Sequence, residues 1–314
     1  MAYQENTGAD PADVIDKIAT FAAANGWTVH ANSLSGSNRT LVLRKGGDYV
    51  QLWNDDTTSI RVTGFIGYAA GTAYNLQAGY AGTVARAHVG AGPFTQVYLF
   101  ADTAPSDHVH VVIEGANGIF SHISFGQVDK LGTWTGGTYF DATWWSQSYF
   151  QAYYWTEYSH PLFDSAHAHD GFRGAVRCDI PADARADAWA VMDEDLAYKL
   201  RTGLSGGNGN QSTGEGFLTT QCYNRNAAPF SGQVTLGTIR FDVSRDGGFF
   251  SPAGMFPNVR YLTMERYTPG QEITVESDTW KVFPMRRKGV GQSNTDPQYW
   301  PFSNNHAFAF KKVA

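Results

Sequence analysis

The chain predicts a mainly β (α+β) fold: antiparallel sheets or a β-sandwich, with an N-terminal amphipathic helix, a second helix, and long loops or arms. Three observations carry this. Aromatic residues make up 14% of the 314 positions, and 34 positions are glycine. Charged residues reach only 17%, against roughly 25% in an ordinary globular chain. Apolar residues fall in short runs separated by Gly, Asn, Asp and Pro turns. Disorder needs the opposite composition, with few aromatics and much charge. A coiled coil needs Glu and Lys in quantity, and collagen needs periodic glycine. A chain of this length buries a core without disulfides.

The first helix is predicted over Pro11–Asn25. Asp10 is an N-cap residue, Pro11 suits the first helical position, and Asp13 favours the helix dipole. Val14, Ile15, Ile18, Phe21 and Ala22 follow at helical spacing, and Gly26 is the stop. Residues 1–9 show no such pattern and read as an arm. Strands follow at Thr40–Arg44, Tyr49–Trp53 and Ile60–Gly67, split by Lys45-Gly46-Gly47-Asp48 and Asn54-Asp55-Asp56 turns. Gly67–Gly92 reads as a long loop or weakly paired arm. Thr95–Ala101, His108–Glu114 and Ile119–Gln127 read as three antiparallel strands, the last two joined through Asn117-Gly118.

Trp134 to Tyr158 is a dense aromatic stretch. Ala182–Arg201 reads as the second helix, from the spacing of Met192, Leu196 and Leu200. Residues 204–216 are low-complexity and loop-like. Gln233–Val243, Arg260–Tyr267, Glu272–Ser277 and Trp280–Met285 form a last β block, and 289–314 reads as an extended tail. The organisation expected is 1–135 as helix plus antiparallel β region, 136–219 as an aromatic, Gly-rich insertion, and 220–314 as a C-terminal β region, the three possible as one domain.

The net charge of −6 is unlike that of most duplex DNA binders, so DNA contact is expected to be incidental at most. Met1 to Asp10 lacks the apolar run of a secretory signal, and no stretch has the length to span a membrane. Cys178 and Cys222 match no zinc spacing and read as reduced thiols.

Several clusters are candidates for chemistry. His108 and His110, two apart, share a strand face, and His122 falls on the next strand. Three imidazoles on one face are candidate zinc ligands; a half-polar strand face is the plainer reading. His160, Asp164, His167, His169 and Asp170 lie in a loop and read as self-capping. Glu157 with Asp164 or Asp170 has no spacing from which a glycosidase pair follows. Gly203-Leu204-Ser205-Gly206-Gly207 has the letters of a nucleophile elbow without the strand–turn–helix context. No nucleotide-binding loop is present. No catalytic residue and no cofactor is therefore assigned. Trp144, Trp145, Tyr153, Tyr154 and Trp155 suit an interface between chains, or alternatively sugar stacking. Arg286, Arg287 and Lys288 are further interface candidates, facing an acidic helix (Asp10, Asp13, Asp16) on a neighbouring copy.

Two segments carry a family resemblance. The run His108–Gln127 continues as Gln127-Val128-Asp129-Lys130-Leu131-Gly132-Thr133-Trp134-Thr135-Gly136-Gly137, and Trp280-Lys281-Val282-Phe283-Pro284-Met285-Arg286-Arg287-Lys288 stands near the end. In Val109–Gly137 and Thr279–Lys288, less than a fifth of its length, the chain resembles virion structural proteins of tailed bacteriophages, from the neck, tail or baseplate. The resemblance implies a non-enzymatic, multi-copy component, a ring of about six copies or a multiple. The resemblance does not fix which ring; a neck or tail-completion position is expected over the baseplate, with other copies and other virion proteins as partners, and the lack of a signal peptide fits assembly in the host cytoplasm. A baseplate or host-recognition protein that binds carbohydrate through 134–158 is the alternative within the virion. A hydrolase or metalloenzyme using the histidine clusters is the alternative outside it.

Overall fold

The computed structural model describes residues 2–142, 174–178, 189–191, 200–202, 236–245, 249–264, 266–284 and 306–312. The chain is mainly β, in antiparallel sheets, with an N-terminal helix. That helix, α1 (Pro11–Ala24), starts and stops where the sequence predicts. The Asp13 N–H donates to Asp10 Oδ1 at 2.8 Å, and the Ala9 N–H donates to Asp13 Oδ2 at 2.8 Å. The first bond occupies a donor that a helix start leaves without an intrahelical partner, and the second ties the residue before the cap to the first turn. At the other end Gly26 takes φ +80°, and the Trp27 N–H reaches back to the Ala22 carbonyl at 3.0 Å. Only the absence of a Cβ makes that left-handed turn cheap. Asp10→Ala is expected to lower stability by about 1 kcal/mol. A urea midpoint equal to that of the parent would show the cap to be idle.

The strands, in chain order, are β1 (Ala2–Gly8), β2 (Thr28–Ser35), β3 (Asn38–Lys45), β4 (Asp48–Trp53), β5 (Ser59–Phe65), β6 (Ala85–His88), β7 (Phe94–Asp102), β8 (His108–Glu114), β9 (Phe120–Gln127) and β10 (Asp129–Lys130). Then come β11 (Gly136–Ala142), β12 (Ala175–Cys178), β13 (Trp189–Val191), β14 (Leu200–Thr202), β15 (Gly237–Arg245), β16 (Phe249–Thr263), β17 (Gln271–Val275), β18 (Asp278–Pro284) and β19 (His306–Lys312).

They form three layers. The central sheet has the order β1-β7-β8-β9-β11-β12-β13. A five-stranded meander, β2 to β6, and α1 cover one of its faces. A second sheet, β14-β15-β16-β19-β18-β17 with β10 added beside β16, covers the other. Strand β8 shows why both faces must be covered: six of its seven residues, His108 to Ile113, are buried. Val109, Val111 and Ile113 enter the core shared with α1 and the meander. Val112 enters the core shared with the second sheet, beside Phe100, Phe120, Tyr139, Phe256, Phe283, Phe308 and Phe310.

Four expectations are corrected. Residues 2–8 are not an arm. They pair with β7 as an edge strand, and Tyr3 lies over Phe100 with ring centroids 5.0 Å apart. Their polar composition hid a strand that gives each core little: Ala2 packs on the one shared with α1 and Tyr3 on the one shared with the second sheet. Within Gly67–Gly92 a strand, β6, pairs with β5. The second helix is not formed where the structure describes it: Trp189–Val191 pairs with β12 and Leu200–Thr202 pairs with β15. Pairing with neighbouring strands overrides the weak helical spacing there. Trp189 is buried, and its indole N–H donates to the Gly79 carbonyl at 2.9 Å. Residues 306–312 are not a tail either. As β19 they run in the interior of the second sheet, between β16 and β18. The segment 136–219 supplies β11, β12 and β13 to the central sheet and β14 to the second.

Candidate functional site

The pleat of β8 and β9 turns His108, His110, His122 and Ser124 toward the second sheet, where all four are buried. The register decides which of them meet. His110 stands directly opposite Ser124, whereas His122 stands opposite Val112 and His108 opposite Gly126. Gly126 has φ +149°, and a Cβ there would come within 2.5 Å of the His108 Cα. Glycine therefore lets β9 approach β8 at the end of the histidine row.

Hydrogen bonds assign the protons. The His110 Nε2 lies 3.2 Å from the Pro257 carbonyl oxygen, which can only accept, so Nε2 carries the proton. The Nδ1 of His110 then accepts from the Ser124 hydroxyl at 2.6 Å. Ser124 accepts in turn from the Tyr139 hydroxyl at 3.0 Å. A directed chain thus runs Tyr139 → Ser124 → His110 → Pro257, joining β11, β9, β8 and β16. The Pro257 carbonyl is free to receive it because the β15–β16 ladder is interrupted there: Arg240 pairs Met255, but Thr238 pairs Arg260. His122 donates from Nε2 to the Pro284 carbonyl at 3.0 Å, and its ring lies stacked 5.9 Å from Phe310. His108 donates from Nδ1 to the Ser106 carbonyl at 2.8 Å, and its Nε2 is buried with no hydrogen-bond partner.

Burial dominates the electrostatics. It pushes His108 down to about 4, against the smaller pull of the Ser106 carbonyl and of Asp102 and Asp107. Burial pushes His110 well below its ordinary value, with His108 as a further cause. It holds the Tyr139 phenol above its own. All three groups are neutral at pH 7. The three histidines share a face, as the spacing predicts. Yet both nitrogens of His110 are engaged, and His122 spends Nε2 on a carbonyl. Among the described residues no group of three or more His, Cys, Asp or Glu is placed to hold a metal ion. What the arrangement does chemically is satisfy polar atoms between two sheets. Ser124 and His110 are within hydrogen-bond reach, as in a nucleophile–base pair, but both are enclosed by the second sheet.

A second polar cluster ties the edge strand β1 to β18. Lys281, only 8% exposed, donates to Glu5 Oε1 at 2.6 Å. Its ammonium also sits 5.3 Å from the Tyr3 ring centroid and 5.2 Å from that of Tyr98. Partial burial would raise Glu5, but bonds from Lys281 and Tyr3 outweigh it and hold the carboxyl below its ordinary value. Sequence reasoning had no signal for this site, since its members lie on strands far apart in the chain.

Of the aromatic stretch, the described members turn inward. Tyr139 and Phe140 are fully buried, and the Trp134 indole donates to the Ala253 carbonyl at 3.0 Å. Trp144, Trp145, Tyr153, Tyr154, Trp155, Arg286, Arg287 and Lys288 lie outside the described residues. So do the loop histidines and acids of 157–170, Ser205 and Cys222. The acidic side chains of α1 are engaged within the chain: Asp10 caps, Asp13 meets Lys17, and Asp16 meets Arg39 at 2.8 Å. No helix among the described residues is long and apolar enough to cross a membrane. No family model matches the chain, and no curated protein is similar enough to it to count as a relative.

Proposed function

We propose that the chain is a non-enzymatic structural component of a tailed-phage virion, working as a homo-oligomeric ring in the neck or tail. Its role is contact with other copies and with neighbouring virion proteins. One observation carries the reading. The two stretches on which the resemblance rests, far apart in sequence, lie against each other: Phe120 meets Phe283 with centroids 6.0 Å apart, and His122 bonds the Pro284 carbonyl. They therefore belong to one packed unit. His110 and His122 spend their Nε2 protons on carbonyls of the second sheet, which suits a part whose task is rigidity. Loops such as 66–84, with Leu76 73% exposed, are surfaces through which copies meet.

Antibody against the purified chain is expected to label the neck or tail of the virions whose genome encodes it. Absence of the chain from those particles, with no affinity for their tail or neck proteins, overturns the reading.

A further inference from the structure

The open edge of the meander is the feature that no other part of the fold accounts for. Strand β2 pairs with β3 on one side, and no strand among the described residues pairs with it on the other. Seven of its eight residues are exposed. Protected edges carry a charge or proline, or are short. Here β6 has four residues and holds Arg86, β17 holds Glu272, and β1 is anchored through Glu5 to Lys281. Strand β2, Thr28-Val29-His30-Ala31-Asn32-Ser33-Leu34-Ser35, is long and holds no Lys, Arg, Asp, Glu or Pro. It also holds two of the exposed large apolar side chains, Val29 at 37% and Leu34 at 56%.

The faces of β2 follow from its register. Val29 stands opposite Leu43 and Asn32 opposite Leu41, both core residues. Asn32 accordingly donates to Asp16 of α1 at 2.9 Å. Leu34, two residues on, shares that side. Thr28, Ala31, Ser33 and Ser35 occupy the outer side. His30 is the extra residue of a bulge, because Val29 pairs Leu43 while Ala31 pairs Val42. The bulge is what puts Val29 and Leu34, five apart, on one side of a strand.

We propose that β2 docks on the β2 of a second copy, antiparallel about a two-fold axis through Asn32. In that register Ala31 faces Ser33 of the other copy and, past the bulged His30, Val29 faces Leu34 and Thr28 faces Ser35. Every facing pair then lies on a common side of the joined sheet, and each exposed apolar side chain finds an apolar partner, twice over. The absence of charge removes repulsion across the axis. The two meanders become one continuous sheet, and the backbone groups of both free edges are paired. This goes beyond the virion reading. A two-fold contact closes on two copies, whereas a ring needs a heterologous one, so each stands or falls separately.

The test is the mass of the full chain by sedimentation velocity over a concentration series. The parent chain is expected to reach a dimer. Val29→Lys with Leu34→Lys places like charges opposite each other twice and is expected to weaken the dimer at least tenfold. Both positions are exposed, so circular dichroism should be unchanged, and so should the melting midpoint at a dilution where both chains are monomeric. Val29→Lys with Leu34→Glu places an ammonium opposite a carboxylate in this register and is expected to restore the dimer. A parent chain that stays monomeric at every concentration overturns the proposal, whatever other partner then takes the edge. So does a dimer indifferent to the two lysines, or one that the Lys/Glu variant fails to restore. Virion labelling bears on none of these outcomes.

Discussion

Acidification from pH 6.5 toward 4 is expected to remove about 3 kcal/mol of stability through His108 alone. Folding depresses the affinity of this imidazole for a proton, so the unfolded chain binds protons that the folded chain refuses. The contribution of neutral His108 is complete above the ordinary value of 6.5. It is lost as pH falls through the window down to about 4. His110, depressed in the same direction, steepens the loss. Glu5, Asp13, Asp56 and Asp102 are also depressed on folding. Their stabilisation is present above the ordinary carboxyl value and is lost below it, so they act at the acid end of the range. Urea midpoints at pH 7 and 5 therefore isolate the histidines. The parent should lose stability between those two values, and His108→Gln, which cannot titrate, should lose less. A parent curve flat from pH 7 to 5 would show that the seam admits water and lets the histidines take up protons in the folded chain.

Phe283→Ala is the second large effect, expected at about 3 to 5 kcal/mol. Phe283 is fully buried on β18 and faces the central sheet. Its ring lies 4.6 Å from Tyr98, 6.1 Å from Phe100 and 6.1 Å from Phe310. Removing the ring takes away both its transfer free energy and the contacts of the cavity lining. Those neighbours belong to two sheets, so the void cannot close by moving one strand. Equilibrium unfolding should show the loss as a lower urea midpoint. A loss below about 1 kcal/mol would mean that the sheets do not bury this residue between them.

Local signals were legible where one stretch of chain suffices to create them. Asp10, Pro11 and Gly26 mark the ends of α1 because capping acts within four residues. The turns at 45–48 and 54–56 separate β3, β4 and β5 because glycine and aspartate set backbone conformation where they stand. Strands β1 and β2 escaped notice because edge strands need few apolar residues. Strands β12, β13 and β14, at three or four residues, are too short for alternation to register. Strand β19 did carry a signal: Ala307-Phe308-Ala309-Phe310 alternates small and large side chains, as an interior strand does.

The histidine seam divides in the same way. That His108 and His110 share a face follows from the period of a strand, and the sequence contains it in full. That His110 is enclosed, and neutral for that reason, depends on the second sheet, which brings Pro257 to it from 147 residues away; the same sheet brings Pro284 to His122 from 162 residues away. Periodicity is a property of consecutive residues, so it survives in the amino-acid order. Desolvation and proton assignment belong to whichever distant strand comes to lie across the face, and only the packed sheets supply that.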